Sequence, residues 1–296
     1  MRPDTLYPEP MLFPPRAYII GAQKAGTSSL AILLAQHPAI NLARGKEVHF
    51  FSTNWARGLG WYAAQFSPKP GADILLDASP SYSSAPLGPY TPKGYAFRAD
   101  RLKMAERMAA LRPDARLIYI LRHPVERIYS GYWQAVRSGY ESRPLEVAIR
   151  ENPEYVYASL YFEQLQHFLY SFTRESILLV NFRDFERDPA AVARECLFFL
   201  GAKPVDFEFS DIRARNVGFR YNALGHTLRK LAGSERSLAA VSGAARRLLP
   251  RRAYDSISQL VSRPVERMDA KTRAIIDAYV AEDYGRLVGL TGMSLD

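Results

Sequence analysis

Residues 18–30, YIIGAQKAGTSSL, decide the fold of this chain. The apolar run that starts this stretch predicts a short buried strand, and the leucines from Leu30 onward have the spacing of a helix. A glycine-containing loop, from Gly21 to Gly26, joins the two elements. Such a junction directs free backbone N–H groups and the positive end of a helix dipole at one place. The stretch therefore predicts a binding site for a phosphate or a similar oxyanion.

The loop departs from the P-loop of nucleotide hydrolases, G-x-x-x-x-G-K-[ST]. The gap between the two glycines matches, but Lys24 precedes the second glycine by two residues, and Thr27 stands where the P-loop lysine belongs. Because that lysine reaches the terminal phosphates of a nucleoside triphosphate, its displacement argues for a different anion. A kinase with a degenerate P-loop and a plain glycine turn before an ordinary helix stay open as alternatives.

A second informative stretch is RHPVERIYS at residues 122–130. Arg122 follows a predicted strand, at the carboxyl end where ligands bind in open α/β sheets. Pro124 suits the first turn of a helix, which places Ser130 about two turns along it. A guanidinium fork and a hydroxyl can grip one phosphate between them. A surface salt bridge of Arg122 and an ordinary helical serine are the alternative.

Strand patterns alternate with helix patterns along the chain. Apolar runs at 18–20, 73–77, 116–121 and 176–180 predict strands, and 101–111, 124–137, 155–172, 189–200 and 272–290 have helical periodicity. This alternation predicts an α/β fold, a mainly parallel sheet flanked by helices with a P-loop-like anion-binding loop. We expect one domain over residues 16–296, preceded by an extended arm over residues 1–15.

Composition limits the class of protein and of ligand. The 296 residues are 48% hydrophobic and 23% charged, as in ordinary globular proteins. The net charge of +9 favours an anionic ligand. Zinc-finger spacing and RNA-recognition aromatics are missing from the sequence, so we expect no nucleic-acid partner. The single cysteine, Cys196, excludes an intramolecular disulfide and a multi-cysteine metal site, and we expect a buried core thiol in a cytoplasmic protein.

Membrane contact is expected to be peripheral at most. No apolar run approaches the ~18 residues of a transmembrane helix, and the proline-rich start lacks the apolar centre of a signal peptide. We therefore expect a chain without a membrane anchor. The basic segment 229–252, with AARRLLPRR at 244–252, has two interpretations. It contacts an anionic membrane or a polyanionic acceptor, or it is a solvated helix end.

Several motifs together resemble a known family. QKAGTSS at residues 23–29 resembles the 5′-phosphosulfate loop of sulfotransferases that use 3′-phosphoadenosine 5′-phosphosulfate. LRHPVERIYS at 121–130 resembles their 3′-phosphate motif, and KEVHFF at 46–51 is similar to the K-E-x-x-F-F stretch of heparan-sulfate-type and related enzymes. Weaker similarities follow at 161–165, 182–189 and 199–201. The resemblance spans roughly residues 17–290 and implies a sulfotransferase, which we expect to be bacterial.

The resemblance implies a donor site. Arg122 and Ser130 would bind the 3′-phosphate, and Lys24 would bridge to the leaving phosphate oxygen. No metal is implied. The phosphosulfate loop would comprise Gln23, Lys24, Ala25, Gly26, Thr27, Ser28 and Ser29. A late cofactor-binding loop would comprise Arg215, Asn216 and Gly218.

The resemblance also implies the catalytic groups. Glu47 matches the glutamate of K-E-x-x-F-F and would be the general base that takes the acceptor's proton. His49 would orient the acceptor or stabilise charge on the transferring group, and it stays open as an alternative base. Lys46 would hold Glu47 ionised or contact the sulfate. Without the resemblance, Lys46 and Glu47 form only a surface ion pair.

The acceptor is less well defined. Heparan-sulfate-type enzymes carry a charged pair before Ser/Thr-Pro-x-Tyr, and this sequence has Asp77 and Ala78 there. The lysine is missing, so a heparan-like glycan is not assumed. We expect Lys46, Asp77 and Tyr82 to contact a hydroxyl-bearing, or amine-bearing, acceptor: a glycan, a lipid, a carrier-bound chain or a small molecule. A nucleotide- or polyanion-binding module that has lost turnover is the non-enzymatic alternative.

Overall fold

A computed structural model describes residues 13–87, 99–205, 208–210, 219–221, 262–265 and 267–296. Its centre is a five-stranded parallel sheet in the order β2-β3-β1-β4-β5. The strands are β1 (Ala17–Gly21), β2 (Ile40–Leu42), β3 (Ile74–Asp77), β4 (Arg116–Leu121) and β5 (Ile177–Asn181). The predicted α/β fold is confirmed. Strand β2 was not predicted, because three residues after a proline turn carry no periodicity.

Ten α-helices are described around the sheet. They are α1 (Thr27–Leu34), α2 (Gly58–Ala63), α3 (Met104–Leu111), α4 (Pro124–Ser138), α5 (Leu145–Glu151), α6 (Glu154–Tyr157), α7 (Tyr161–Leu169), α8 (Phe182–Arg187), α9 (Pro189–Leu200) and α10 (Ala270–Thr291). A π-helical turn, Phe50–Asn54, begins at the two phenylalanines that end the KEVHFF motif. Two short antiparallel strands, β6 (Phe219–Tyr221) and β7 (Ser262–Pro264), form a separate ribbon.

One predicted helix is wrong in its extent. The pattern at 155–172 predicted a single helix, but the chain leaves the helical conformation at Leu160, whose ψ is 76°. The Phe162 N–H then donates to both carboxylate oxygens of Asp283, at 2.9 and 2.8 Å. A cap from α10 thus starts α7 separately from α6, which a local periodicity cannot reveal.

Two buried clusters hold the layers together. The larger one surrounds the sheet, where Tyr18 and Ile19 of β1 are fully buried, and it includes Cys196. Burial raises the pKa of the Cys196 thiol, as expected for a core cysteine. The smaller cluster joins α4 to α10 through Val125, Ile128 and Ile276. In the described part of the chain, no helix is long and apolar enough to cross a bilayer.

The sheet topology determines where a ligand can bind. From β1 the chain runs to β2 and β3 on one side, whereas β4 and β5 lie on the other. Ligands bind outside the carboxyl ends of parallel strands at such a switch in direction. The loop after β1 and Arg122 after β4 meet at this point. The prediction of one domain over residues 16–296 stays a prediction, and most of the expected arm lies outside the described residues.

Candidate active site

The loop between β1 and α1 has the geometry of an anion site. Gly26 precedes α1 with a φ of 86°, and a Cβ there would lie 2.9 Å from the Phe182 ring, so glycine is required. The Leu30 N–H makes the first bond within the helix, to Gly26 O at 3.0 Å. No side chain caps the helix. The N–H groups of its first turn, from Thr27 to Ser29, therefore suit an anion.

Ala25 takes part in the loop differently from its neighbours. Its N–H donates to Ala22 O at 3.1 Å, closing a turn, and its side chain is fully buried. Ala25 therefore shapes the loop in this structure. Thr27 is 4% exposed, whereas Ser28 and Ser29 are half-buried at the helix start.

A cavity of about 560 Å³ lies beside the loop and brings Lys24, Arg122 and Ser130 together. We call it the donor cavity. Arg122 lies over the Phe182 ring, 5.2 Å from its centroid, and donates through Nε and Nη2 to Glu126 at 3.3 Å. The remaining wall is mostly aromatic and cationic, with Tyr129, Trp133, Arg137, Arg267 and Arg273, and it also includes Gln134, Glu186, Val265 and Met268.

Burial and the nearby arginine side chains lower the pKa of Lys24. Its burial, and then the charges of Arg137, Arg127 and Arg122, lower its pKa to about 8. Glu47 opposes this shift weakly. An anion in the donor cavity would relieve the repulsion among these positive charges.

A second cavity, of about 250 Å³, lies on the other side of the loop. We call it the acceptor cavity. Gln23, Glu47 and His49 line it, together with Ser81 and Arg101. Gln23 and Lys24 are consecutive, yet Gln23 lines the acceptor cavity and Lys24 lines the donor cavity. The loop therefore forms the boundary between the predicted phosphate-binding residues and the candidate bases.

Lys46 links the candidate base to the loop. Its Nζ donates to Ser28 Oγ at 2.6 Å and forms an ion pair with Glu47 Oε1. The other carboxylate oxygen, Oε2, lies 3.3 Å from His49 Nε2. Burial raises the pKa of Glu47, but hydrogen bonds from His49 and Lys46 outweigh it and lower the pKa to about 2. Glu47 is therefore ionised, and with this pKa its carboxylate is a weak base while the ion pair with Lys46 is intact.

Hydroxyl groups fix the orientation of His49. Its Nδ1 lies 2.7 Å from Ser81 Oγ, which lies 2.7 Å from Ser52 Oγ, and its backbone N–H donates to Ser79 Oγ at 2.9 Å. Sequence reasoning did not identify these serines as part of the site. Ser79 and Ser81 belong to the Ser-Pro-Ser-Tyr motif after β3, and the position of this motif at the end of a strand could have predicted their role.

Backbone strain is concentrated at the same residues. Within the described residues, the non-glycine residues with positive φ are Lys24 (73°), Lys46 (67°) and His49 (54°). This conformation is uncommon outside glycine and costs about 1–3 kcal/mol per residue. Surrounding contacts therefore hold all three side chains in place, as is usual at functional sites.

Asp77 and Tyr82 correct a prediction. Both are fully buried, so they do not reach the acceptor cavity. Asp77 accepts hydrogen bonds from Tyr62 OH at 2.8 Å, Tyr82 OH at 2.7 Å and Ser79 Oγ at 2.6 Å. Tyr82 OH also accepts from the Phe50 N–H at 2.9 Å. Ser79 Oγ, which donates to Asp77, also accepts from the His49 backbone N–H. Asp77 therefore supports the backbone of His49 from within the core and does not contact the acceptor cavity itself.

The other expected groups lie elsewhere. Arg215, Asn216 and Gly218, and the basic segment 229–252, lie outside the described residues. Within the described ranges, no three His, Cys, Asp or Glu side chains cluster as metal ligands.

Several curated relatives resemble this chain. Human heparan sulfate glucosamine 3-O-sulfotransferase 6 is 31% identical over 199 residues, 64% of this chain and 53% of that protein. Human heparan sulfate glucosamine 3-O-sulfotransferase 3B1 is 28% identical over 200 residues, 64% of this chain and 47% of that protein. The chain thus spans about half the length of these relatives.

Structural and family comparisons agree with each other. A sulfotransferase from Alicyclobacillus acidocaldarius superposes with a TM-score of 0.63 and 26% identity, over 95% of this chain and 97% of that one. The pattern that describes the sulfotransferase family matches residues 15–206, which include the loop, the Glu47 region and the Arg122 motif. On this match, the chain belongs to the sulfotransferase family.

Proposed function

We propose that the protein transfers a sulfuryl group from 3′-phosphoadenosine 5′-phosphosulfate to a hydroxyl, or an amine, of an acceptor. The observation that carries this proposal is the division of the site by its loop. Lys24 faces the donor cavity with Arg122 and Ser130, whereas Gln23 faces the acceptor cavity with Glu47 and His49. A donor that binds in the donor cavity would therefore place its sulfuryl group at the loop, where an acceptor in the acceptor cavity could reach it.

The donor cavity fits the nucleotide. Arg122 and Ser130 would hold the 3′-phosphate, and the aromatic wall at Tyr129 and Trp133 offers an apolar surface for the purine. The N–H groups at the start of α1 would bind the 5′-phosphosulfate. The bound donor supplies a sulfuryl group on a phosphate leaving group. Lys24 would offset the negative charge that develops on that phosphate.

On the acceptor side, Glu47 would take the proton of the attacking hydroxyl. In-line transfer depends mainly on positioning and on charge stabilisation, as in phosphoryl transfer. Lys46 already contacts Ser28 of the loop, so sulfuryl oxygens there would compete with Glu47 for its ammonium group. Weakening that ion pair would raise the pKa of Glu47 when a donor is bound. His49, held by Ser81, would keep the carboxylate oriented.

The acceptor class follows only in outline. The curated relatives are named for glucosamine of heparan sulfate, and a sugar hydroxyl is one acceptor that we propose. Arg101 and Glu154 contribute both charges to the acceptor cavity, which suits a polar acceptor. A cytoplasmic location stays a prediction from the sequence.

Calorimetric titration tests the donor. We expect micromolar binding of 3′-phosphoadenosine 5′-phosphate, with much weaker binding of AMP and of ATP with magnesium. A preference for ATP with magnesium would indicate a kinase. Failure of every nucleotide to bind would contradict the proposal and favour a polyanion-binding module.

A further inference from the structure

Arg273 reaches the donor cavity from the last helix, far along the chain from both sequence motifs. Its Nη2 lies 3.7 Å from Glu126 Oε1. The second oxygen of the same carboxylate, Oε2, accepts from Arg122 at 3.3 Å. Glu126 therefore holds two guanidinium groups at one wall of the cavity, one on each of its oxygens.

Core packing determines where Arg273 lies. Ile276 and Val280 of α10 are 0% and 1% exposed and share a cluster with Val125 of α4, the neighbour of Glu126. Residues three apart lie on the same face of a helix, so burial of Ile276 turns Arg273 towards α4. The position of its guanidinium thus follows from the docking of α10.

Among the described residues that line the donor cavity, cations outnumber carboxylates. The described residues that line the donor cavity include five cations, Lys24, Arg122, Arg137, Arg267 and Arg273, and two carboxylates, Glu126 and Glu186. Glu126 offers one negative charge to two guanidinium groups, and the side chain of Arg273 is 48% exposed. A phosphate dianion has the oxygens to accept from two guanidinium forks at once.

We propose that Arg273 is a second guanidinium ligand of the donor's 3′-phosphate, beside Arg122, and that Glu126 is the positioning residue for both. This inference rests on the proposed function, because it assumes that the 3′-phosphate occupies the donor cavity. The family match ends at residue 206 and so does not assign a role to Arg273.

The test measures the contribution of the 3′-phosphate. Arg273→Gln is titrated with 3′-phosphoadenosine 5′-phosphate and with AMP, which lacks that phosphate. We expect the affinity for the bisphosphate to fall about tenfold or more, as for the loss of a charge-assisted hydrogen bond, and the affinity for AMP to change less than about twofold. Arg273→Lys keeps the charge without the fork and should give an intermediate loss.

Arg286→Gln is the matched control. Arg286 lies on the same helix, and its side chain is also 48% exposed. It forms an ion pair with Glu163, at a distance of 2.6 Å, and does not line the donor cavity. We expect wild-type affinity for both nucleotides. If Arg273→Gln binds the bisphosphate nucleotide as tightly as wild type does, while Arg122→Ala binds it much more weakly, this inference is overturned and the proposed function stands. If wild type does not bind the bisphosphate, the proposed function fails as well.

Discussion

Arg127 donates to both oxygens of Gln23, to the backbone carbonyl through Nε and to the side-chain Oε1 through Nη2, each at 3.1 Å. Arg127 is 2% exposed, and its Nη1 donates to Tyr155 O at 3.0 Å and Ser159 Oγ at 3.3 Å. All four acceptors are uncharged. A buried cation thus contacts the loop between β1 and α1 and holds Gln23, the loop residue that faces the acceptor cavity.

Arg127→Lys should weaken both the fold and the loop. Lysine cannot reproduce the planar fork, so buried oxygens lose their donors, at a cost of about 1–3 kcal/mol in the free energy of unfolding. Affinity for 3′-phosphoadenosine 5′-phosphate should fall too. Urea unfolding and calorimetry measure the two effects. Arg150→Lys, on an arginine that is 67% exposed, should change neither. A variant with wild-type stability would show that the Gln23 contacts matter little.

Gln23→Glu should separate stability from binding. Because the Gln23 Oε1 accepts from Arg127, a carboxylate at this position keeps that bond and pairs with the buried charge. We expect unchanged or higher stability in urea. We also expect weaker binding of the bisphosphate nucleotide, since a negative charge is added beside the phosphosulfate position. Unchanged affinity in calorimetry would place Gln23 away from the bound donor.

Lys24 predicts the pH dependence of donor binding. In the free protein its pKa is lowered to about 8, and a bound polyanion favours the protonated ammonium and so raises the pKa. The contribution of Lys24 to affinity is therefore complete below about pH 8, the pKa of the free protein, and is lost progressively above it, as the pH rises through the raised pKa of the bound state. Binding at pH 8.5 should take up a proton, which calorimetry in two buffers of different ionisation enthalpy detects.

Lys24→Arg is the corresponding control. Arginine keeps its proton over this range, so proton uptake at pH 8.5 should disappear. Equal proton uptake in the variant and in wild type would assign the titration to a different group.

Glu47→Gln should stop transfer without affecting donor binding. Removal of a positioned general base costs about 10²–10⁴-fold in rate. The measurement follows sulfation of any acceptor, from a panel of sugars, phenols and amines, that the wild-type protein modifies. Affinity for 3′-phosphoadenosine 5′-phosphate, which lacks the sulfuryl group that would compete for Lys46, should stay within about twofold of wild type, because Glu47 lines the other cavity. A larger rate loss in His49→Ala than in Glu47→Gln would assign the base to His49.

The sequence predicted the parts of the fold and the site that depend on local order. Strand β4 was predicted with its observed bounds, and β1, β3 and β5 within one residue at either end, because each is a short apolar run between turns. Motif order alone pointed to Lys24, Arg122, Ser130, Glu47 and His49, and the structure brings them to one loop.

Tertiary packing determined the rest. Whether Asp77 faces a cleft or the core depends on Tyr62, fifteen residues away in sequence, which donates to its carboxylate. The burial of Arg127 and the position of Arg273 at the donor cavity depend on how the helices pack against each other, and no local sequence pattern encodes this packing. The strained backbone at Lys46 and His49 is likewise a consequence of their surroundings.

A crystal structure with 3′-phosphoadenosine 5′-phosphate tests the two-cavity arrangement most directly. The account predicts the 5′-phosphate at the start of α1 beside Lys24, and the 3′-phosphate in contact with Arg122 and Ser130. The Glu47 carboxylate should then lie across the loop, on the side of the 5′-phosphate away from the nucleoside. A nucleotide bound in the reverse direction, or one that occupies the acceptor cavity beside Glu47, would contradict it.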